Sequence, residues 1–182
     1  MEGYKYPLIY ISTFETFPKR CTIVQVNDEF NDISVVGTIN LPNDWTTIGD
    51  VVVDAENDKW YLMDIGLTSG STSWGQSTLK LYEFNSIPTS GDSSINISTA
   101  RIINETPISL PWIQGSIFHN GDLWICTGQG NEQYPARLNV FNIKENVSKC
   151  THSVLLQIGE PEDVDILDSK VIIGGAGTKP KY

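Results

Sequence analysis

The sequence repeats one pattern three times, and this repetition constrains the fold more than any single residue does. The segment Thr47–Met63 has the same pattern as Ile113–Cys126 and Glu160–Ile173. Each copy has a polar start marked by Gly or Glu, a short apolar strand, an Asp/Asn/Gly turn and a second apolar strand. Repeats of this length that contain only strands are typical of blade architectures. The sequence therefore predicts a repeated all-β scaffold.

Apolar runs of four to eight residues, bounded by Gly, Pro, Asn or Asp, predict four kinds of strand, a to d. No stretch has the 3.6-residue apolar period of a helix. The predicted strands are a at Val51–Asp54, Ile117–Asn120 and Val164–Leu167; b at Leu8–Ser12, Trp60–Asp64, Leu123–Thr127 and Val171–Gly174; c at Thr22–Asn27, Thr78–Phe84 and Leu138–Ile143; d at Ser34–Leu41, Arg101–Ile108 and Ser153–Ile158.

This order predicts one all-β, β-propeller-like domain over residues 1–182, with about three four-stranded blades. The blades cover roughly residues 1–45, 46–111 and 112–159, and residues 160–182 begin a further blade. The last strand a, Val164–Leu167, could join the first b-c-d set, which would leave Val171–Gly174 as a surplus strand. Three blades are too few to close a propeller. We therefore expect an incomplete ring, or one completed by a partner.

The second blade is longer than the third. The interval from Asp50 to Ser116 is 66 residues, and that from Ser116 to Asp163 is 47. The difference falls in two stretches rich in Ser, Thr and Gly, Leu67–Ser77 and Asn85–Thr99. This composition predicts surface loops that distinguish this blade from its neighbours.

Composition excludes several classes of function. A net charge of −10 with only 12 basic residues disfavours nucleic acid as a partner. No apolar run approaches the roughly 18 residues that span a bilayer. Three cysteines without CxxC spacing, and only two histidines, disfavour a structural zinc site.

Two sequence segments resemble those of a known kind of repeat protein. They are Gln114-Gly115 followed by Gly121-Asp-Leu-Trp-Ile-Cys-Thr-Gly128, and Gly159-Glu-Pro-Glu-Asp163 followed by Lys170-Val-Ile-Ile-Gly-Gly175. Together they resemble the rhythm of β-propellers in bacteriophage tail proteins and Bacteroidetes-type surface proteins. The resemblance implies a propeller whose Gln-Gly and Glu-Pro-Glu residues crowd one end of the axis. It implies no reaction.

In a propeller, the residues just before each strand a gather at one mouth of the channel. Here they include five candidate ligand-binding residues. One interpretation is an acidic mouth that holds Ca²⁺ or a polyhydroxylated ligand through oxygen donors. The other is structural, with these side chains bonded to backbone N–H groups of neighbouring blades. The five are Asp50, Gln114, Glu160, Glu162 and Asp163.

Trp74 and its neighbour Gln76 lie in the inserted loop Leu67–Ser77, among polar residues. An exposed Trp on a polar loop suits contact with a sugar ring or a protein partner, whereas a Trp folded back onto its own blade would be structural. No catalytic residue is predicted. His119 and His152 lie on strands of different kinds, and no Gly-X-Ser-X-Gly motif is present.

The sequence therefore predicts a non-catalytic binding or structural module without a required cofactor. By the resemblance, it would be a phage virion or tail component that acts in assembly or host-surface contact, at the virion or an extracellular surface. Its partners would be other protein chains, own copies included, or a cell-surface glycan. The alternative is a calcium-dependent propeller enzyme, lactonase-like or lyase-like, with Ca²⁺ at the acidic mouth.

Overall fold

A computed structural model describes residues 8–13, 20–27, 29, 31–41, 48–67, 70–144 and 150–177. The fold is all-β, as predicted. The described strands are β1 (Leu8–Thr13), β2 (Arg20–Val26), β3 (Ile33–Asn40), β4 (Ile48–Asp54), β5 (Lys59–Leu67), β6 (Ser77–Asn85), β7 (Gly91–Ser94), β8 (Arg101–Ile102), β9 (Ile108–Ser109), β10 (Ile113–His119), β11 (Asp122–Thr127), β12 (Arg137–Asn142), β13 (Cys150–Leu155), β14 (Glu160–Leu167) and β15 (Lys170–Ala176).

These strands form four sheets. The first has the order β1-β2-β3-β7, the second β4-β5-β6-β8 with β9 also on β6, the third β10-β11-β12-β13, and the fourth β14-β15. Most predicted strands thus exist at their predicted places and pair with their predicted neighbours. Their arrangement as propeller blades stays a prediction. Among the described residues, no helix has the length and apolarity to cross a membrane.

The first sheet takes its fourth strand from an unexpected place. Strand β7, inside the stretch Asn85–Thr99 that was predicted to be a surface loop, pairs in parallel with β3. Strand β14 pairs with β15, so the prediction that Val164–Leu167 joins the first b-c-d set is wrong. Gly37 makes the β3–β7 approach possible, because a Cβ at Gly37 would lie 2.8 Å from the Gly91 nitrogen, whereas Gly91 serves the backbone through its positive φ of 72°.

The prediction of one continuous d strand over Arg101–Ile108 is also wrong. It is broken into β8 and β9, which pair with different parts of β6. Between them the buried Asn104 donates from Nδ2 to the Leu79 carbonyl at 3.0 Å and to the Thr106 carbonyl at 3.1 Å. The side-chain amide takes the place of a backbone donor, so the strand is interrupted without loss of that hydrogen bond.

The chain packs as two compact units, Met1–Asp64 with Leu81–Ile102, and Ile65–Lys80 with Ile103–Tyr182. The core of the first unit includes Ile23, Ile39 and Leu62, all fully buried. A core cluster of the second unit contains Cys126, Leu138 and Val164, with Ile117 and Trp124 against it. Strands β5 and β12 each have four consecutive buried residues, Trp60–Met63 and Leu138–Phe141, so both of their faces are covered there.

Candidate functional site

Two irregularities bring most of the predicted mouth residues together in the second unit. Strand β10 departs from its register with β11 between Ile113 and Ser116, and β14 departs from its register with β15 between Pro161 and Asp163. Gln114 lies in the first irregularity, and its Nε2 donates to Glu160 Oε1 at 2.7 Å. The predicted amide and carboxylate are therefore partners that join β10 to β14.

Asp50 and Asp163 stand in equivalent places and make the same local hydrogen bond. Asp50 Oδ1 accepts from the Val51 N–H at 2.8 Å, and Asp163 Oδ1 accepts from the Val164 N–H at 2.8 Å. Asp50, in the first unit, also accepts from the Ser12 hydroxyl at 3.3 Å. Each carboxylate thus accepts a hydrogen bond from the backbone N–H of the next residue in its own strand, rather than from a neighbouring blade as the structural interpretation expected.

The second unit brings four of the five predicted mouth residues together: Gln114, Glu160, Glu162 and Asp163. Glu162 and Asp163 are exposed, whereas Asp50 belongs to the first unit. Within the part of the chain that the structure describes, no group of three or more His, Cys, Asp or Glu side chains is placed to hold a metal ion.

The loop tryptophan is tied to its own unit. Trp74 opens a single 3₁₀ turn, Trp74–Gln76, and its carbonyl accepts from the Trp112 N–H at 2.8 Å. The Tyr134 ring packs onto Gly75, where a Cβ would overlap it, and meets the Trp112 ring edge-on at 6.0 Å. Trp74 is half-buried and Gln76 is exposed. The turn therefore offers a rigid surface patch in which Gln76 is the more accessible residue.

The two histidines have no catalytic arrangement in the structure. The ring nitrogen Nε2 of His119 lies 2.9 Å from Nδ2 of Asn120, its neighbour in the chain. His152 is exposed on β13, a strand of the same sheet. Among the residues that the structure describes, neither imidazole contacts a carboxylate or a nucleophile, which a triad requires.

A cleft in the first unit is the feature that sequence reasoning missed. It has a volume of about 510 Å³. The insertion that carries β7 builds one wall, and the ends of β5, β6 and β8 build the other. Its lining includes Trp60, Glu83, Phe84, Ser86, Pro88, Ser94, Asn96 and Arg101.

A buried carboxylate organises this cleft. Glu83 on β6 is 6% exposed, and its Oε1 accepts from Lys59 Nζ at 3.0 Å. Arg101 on β8 binds it through two atoms, with Nε 2.9 Å from Oε1 and Nη2 2.6 Å from Oε2. The Tyr61 hydroxyl also hydrogen-bonds Glu83. Two cations and a phenol thus surround one carboxylate, which satisfies a group that would be costly to bury alone.

These contacts shift the pKa values of the group. Burial raises the pKa of Glu83, but the hydrogen bonds from Arg101 and Lys59 outweigh burial and hold this pKa below its ordinary value. Burial, and then the charges of Glu83 and Asp54, raise the pKa of Tyr61. The ion pairs are therefore charged at neutral pH, with Tyr61 as a neutral donor.

Several hydrogen bonds besides the β3–β7 ladder hold the insertion against strands β1 and β3. The Tyr10 hydroxyl donates to the Pro88 carbonyl at 2.9 Å, and the Ser93 hydroxyl donates to the Thr38 carbonyl at 3.2 Å. The Ile95 N–H donates to the Asn40 carbonyl at 3.0 Å. The wall of the cleft is therefore fixed to the sheet at several points along its length.

Two signals in the sequence point towards the cleft in retrospect. The first is the additional length of the second blade, which predicts a distinctive segment. The second is the charged Glu83, which stands between Tyr82 and Phe84 on β6, with Lys59 at the start of β5. The partner Arg101 had no such signal, because its pairing with Glu83 depends on the β6–β8 register.

No model of a known protein family matches this sequence, and a comparison with curated proteins finds no significant match. The function is therefore argued from the geometry of the described residues.

Proposed function

We propose that this protein is a non-catalytic binding module whose open sheet edges pair with another protein chain. The observation that carries the proposal is the exposure of apolar side chains on strands with an unpaired edge. Such edges present free backbone N–H and C=O groups, and soluble proteins usually protect them with charge, proline or a cover. A partner strand would satisfy the backbone groups and cover the side chains together.

Three strands have this character. The first half of β3 lies beyond the segment paired with β7, and Val35 there is 66% exposed. Strand β13 ends the third sheet, every one of its residues is exposed, and Val154 is 54% exposed. Among the described strands β15 pairs with β14 alone, and Ile172 is 49% exposed. Covering each such side chain would contribute about 1 kcal/mol or more.

The resemblance noted above supports a more specific proposal. Propeller repeats of this rhythm occur in phage tail and bacterial surface proteins, so we place the module at a virion or extracellular surface, in assembly or host-surface contact. The exposed Gln76 and the half-buried Trp74 offer an additional contact patch on the second unit.

Light scattering on the full chain tests the proposal. We expect a mass above the monomer, or an assembly when a protein of the same virion is added. Val35→Lys and Ile172→Lys should abolish association, because a charge on an open edge opposes strand pairing. Leu67→Lys is the matched control: Leu67 is 38% exposed, but it lies on β5, a strand paired on both sides. Equal effects of all three variants would contradict edge pairing.

A calcium titration of the same chain tests the enzyme alternative, in which the predicted mouth carboxylates Asp50, Glu162 and Asp163 would hold Ca²⁺. A ligand that binds only the folded chain raises its melting temperature. A rise with calcium that a chelator reverses, and that Glu162→Gln removes, would favour a metal-bearing mouth. A melting temperature indifferent to calcium would favour the binding module.

A further inference from the structure

The cleft of the first unit contains a guanidinium that is held in one orientation. Arg101 is 62% exposed at its side chain, yet two of its nitrogens are fixed by Glu83. Lys59 and Tyr61 fix Glu83 in turn. Binding to such a side chain loses little conformational entropy, because its orientation is already set in the free protein.

Donor groups of Arg101 are still available to a ligand. Glu83 occupies Nε and one N–H of Nη2, and no other described residue accepts a hydrogen bond from the guanidinium. The two N–H groups of Nη1 and the second of Nη2 remain. Because Lys59 and Arg101 share one carboxylate, the group also has one positive charge in excess. A planar anion such as a carboxylate suits these donors.

The opposite wall offers small polar groups. The hydroxyls of Ser86 and Ser94 make no hydrogen bond to another described residue. Asn96 Oδ1 accepts from the Ser98 N–H at 3.1 Å and from the Ser98 hydroxyl at 2.7 Å, which leaves its Nδ2 for a ligand. These groups match hydroxyls rather than a second charge.

The floor adds an apolar surface. The Phe84 ring is half-buried and stacks on Trp60, with ring centroids 4.3 Å apart and planes inclined by 14°. Pro88 lies beside it in the lining. A ligand with an apolar face could pack there. The volume of the cleft is within the range of small-molecule sites, about 300–1,000 Å³.

From this combination we propose that the cleft binds an acidic sugar residue, with Arg101 on the carboxylate and Ser86, Ser94 and Asn96 on the hydroxyls. The chemical class is a uronic acid or a similar carboxylated saccharide. This inference does not rest on edge pairing, since no residue that carries it lies on β3, β13 or β15. Failure of one proposal leaves the other standing.

A matched pair of ligands tests the proposal. The full chain is titrated with methyl glucuronoside and with methyl glucoside, which differ only at the carboxylate, and binding is followed by NMR at low salt. We expect the glucuronoside to bind about tenfold more tightly, since a hydrogen bond to a charged group contributes about 1.5–3 kcal/mol. Equal binding of the two, or no binding of the glucuronoside at millimolar concentration, would overturn the proposal.

Two variants and one control locate the site. Arg101→Gln should remove the preference for the glucuronoside. Asn96→Asp retains the cap on the 3₁₀ turn Ile97–Thr99, because Asp caps as well as Asn, but it adds a negative charge beside the ligand. This variant should weaken the binding of the glucuronoside severalfold and leave the melting temperature of the chain unchanged. Arg137→Gln, an exposed arginine on β12, should leave binding unchanged. Wild-type binding in both cleft variants would place the ligand elsewhere.

Discussion

Gly115 and Asp163 hold β10 and β14 so close that no side chain fits between them. A Cβ at Gly115 would overlap the Asp163 Cα, and it would lie 2.7 Å from Oδ1 of that residue and 2.8 Å from the Glu162 carbonyl oxygen. Backbone atoms surround this position, so the neighbours have little freedom to move. The Gln-Gly pair of the repeat thus has a steric role beside the hydrogen bond of Gln114.

We therefore expect Gly115→Ala to lower the free energy of unfolding by about 1–3 kcal/mol, the usual cost of an atom forced into a packed site. The control is Gly174→Ala on β15, where a Cβ would meet only the Asp163 Cβ at 3.8 Å. This control should leave stability unchanged or raise it slightly. Urea denaturation of both variants measures the difference. Equal stability of the two would show that β10 and β14 do not pack in this way.

The Glu83 cluster gives a second stability prediction. Glu83→Gln keeps the volume of the side chain but removes the charge that Lys59 and Arg101 contact. We expect a loss of about 1–3 kcal/mol, because a hydrogen bond to a charged group is lost on a nearly buried side chain. Glu56→Gln is the control, since Glu56 is exposed and has no ion pair with a described residue. A loss no larger than that of the control would contradict the role of Glu83.

Much of the fold followed from local patterns. The hairpins β10–β11 and β14–β15 turn at Asn120-Gly121 and Asp168-Ser169, whose φ angles are all positive. Two-residue turns of this kind match the twist of antiparallel strands and favour Asn and Gly. Alternating apolar residues then determine which face of each strand is buried. For these reasons the repeats, the strand order and the pairing within most sheets were predictable.

The features of the fold that the sequence did not predict depend on pairing between segments that are distant along the chain. Strand β7 is the polar segment Gly-Asp-Ser-Ser, which has no apolar alternation, and it pairs with β3 because the absence of a side chain at Gly37 lets the two backbones approach. The break at Asn104 depends on a buried amide that replaces a backbone donor. The cleft depends on both the β3–β7 pairing and the break at Asn104. The contact between Glu83 and Arg101 therefore could not be predicted from the sequence pattern.

The same cluster predicts how stability depends on pH. The pKa of Glu83 in the folded chain is lowered below its ordinary value of 4.5. The charged side chain therefore contributes its full stabilisation of the fold at pH values above 4.5. This stabilisation is lost as pH falls through the lowered folded pKa, because protonation removes the charge that Lys59 and Arg101 contact. We expect the difference in unfolding free energy between wild type and Glu83→Gln to be constant from pH 7 to 5 and to shrink below pH 4. Urea denaturation at each pH measures it; a difference that grows in acid would contradict this assignment.

The three cysteines should differ sharply in reactivity. Burial raises the pKa of the Cys21 thiol to about 12, and the Asp50 charge adds to this shift while a hydrogen bond with Ser12 opposes it. Burial, and then the Asp163 charge, raise the pKa of the Cys126 thiol to about 11. Both side chains are fully buried, whereas Cys150 is exposed on β13. Since the thiolate is the reactive form, burial and a raised pKa protect Cys21 and Cys126, whereas the Cys150 side chain is accessible to a reagent.

At pH 8 we therefore expect one thiol of the native chain to react with an aromatic disulfide reagent, and three after unfolding. Cys150→Ser should reduce the number of reactive thiols in the native chain to zero. It should not change the unfolding transition, because the Cys150 side chain is exposed. Cys126→Ser, in contrast, should leave one reactive thiol and lower stability, since a hydroxyl would replace sulfur within the cluster that includes Leu138 and Val164. Rapid reaction of a second native thiol would mean that β2 or β11 opens on the timescale of labelling, and that the core packing described for that strand is not maintained in solution.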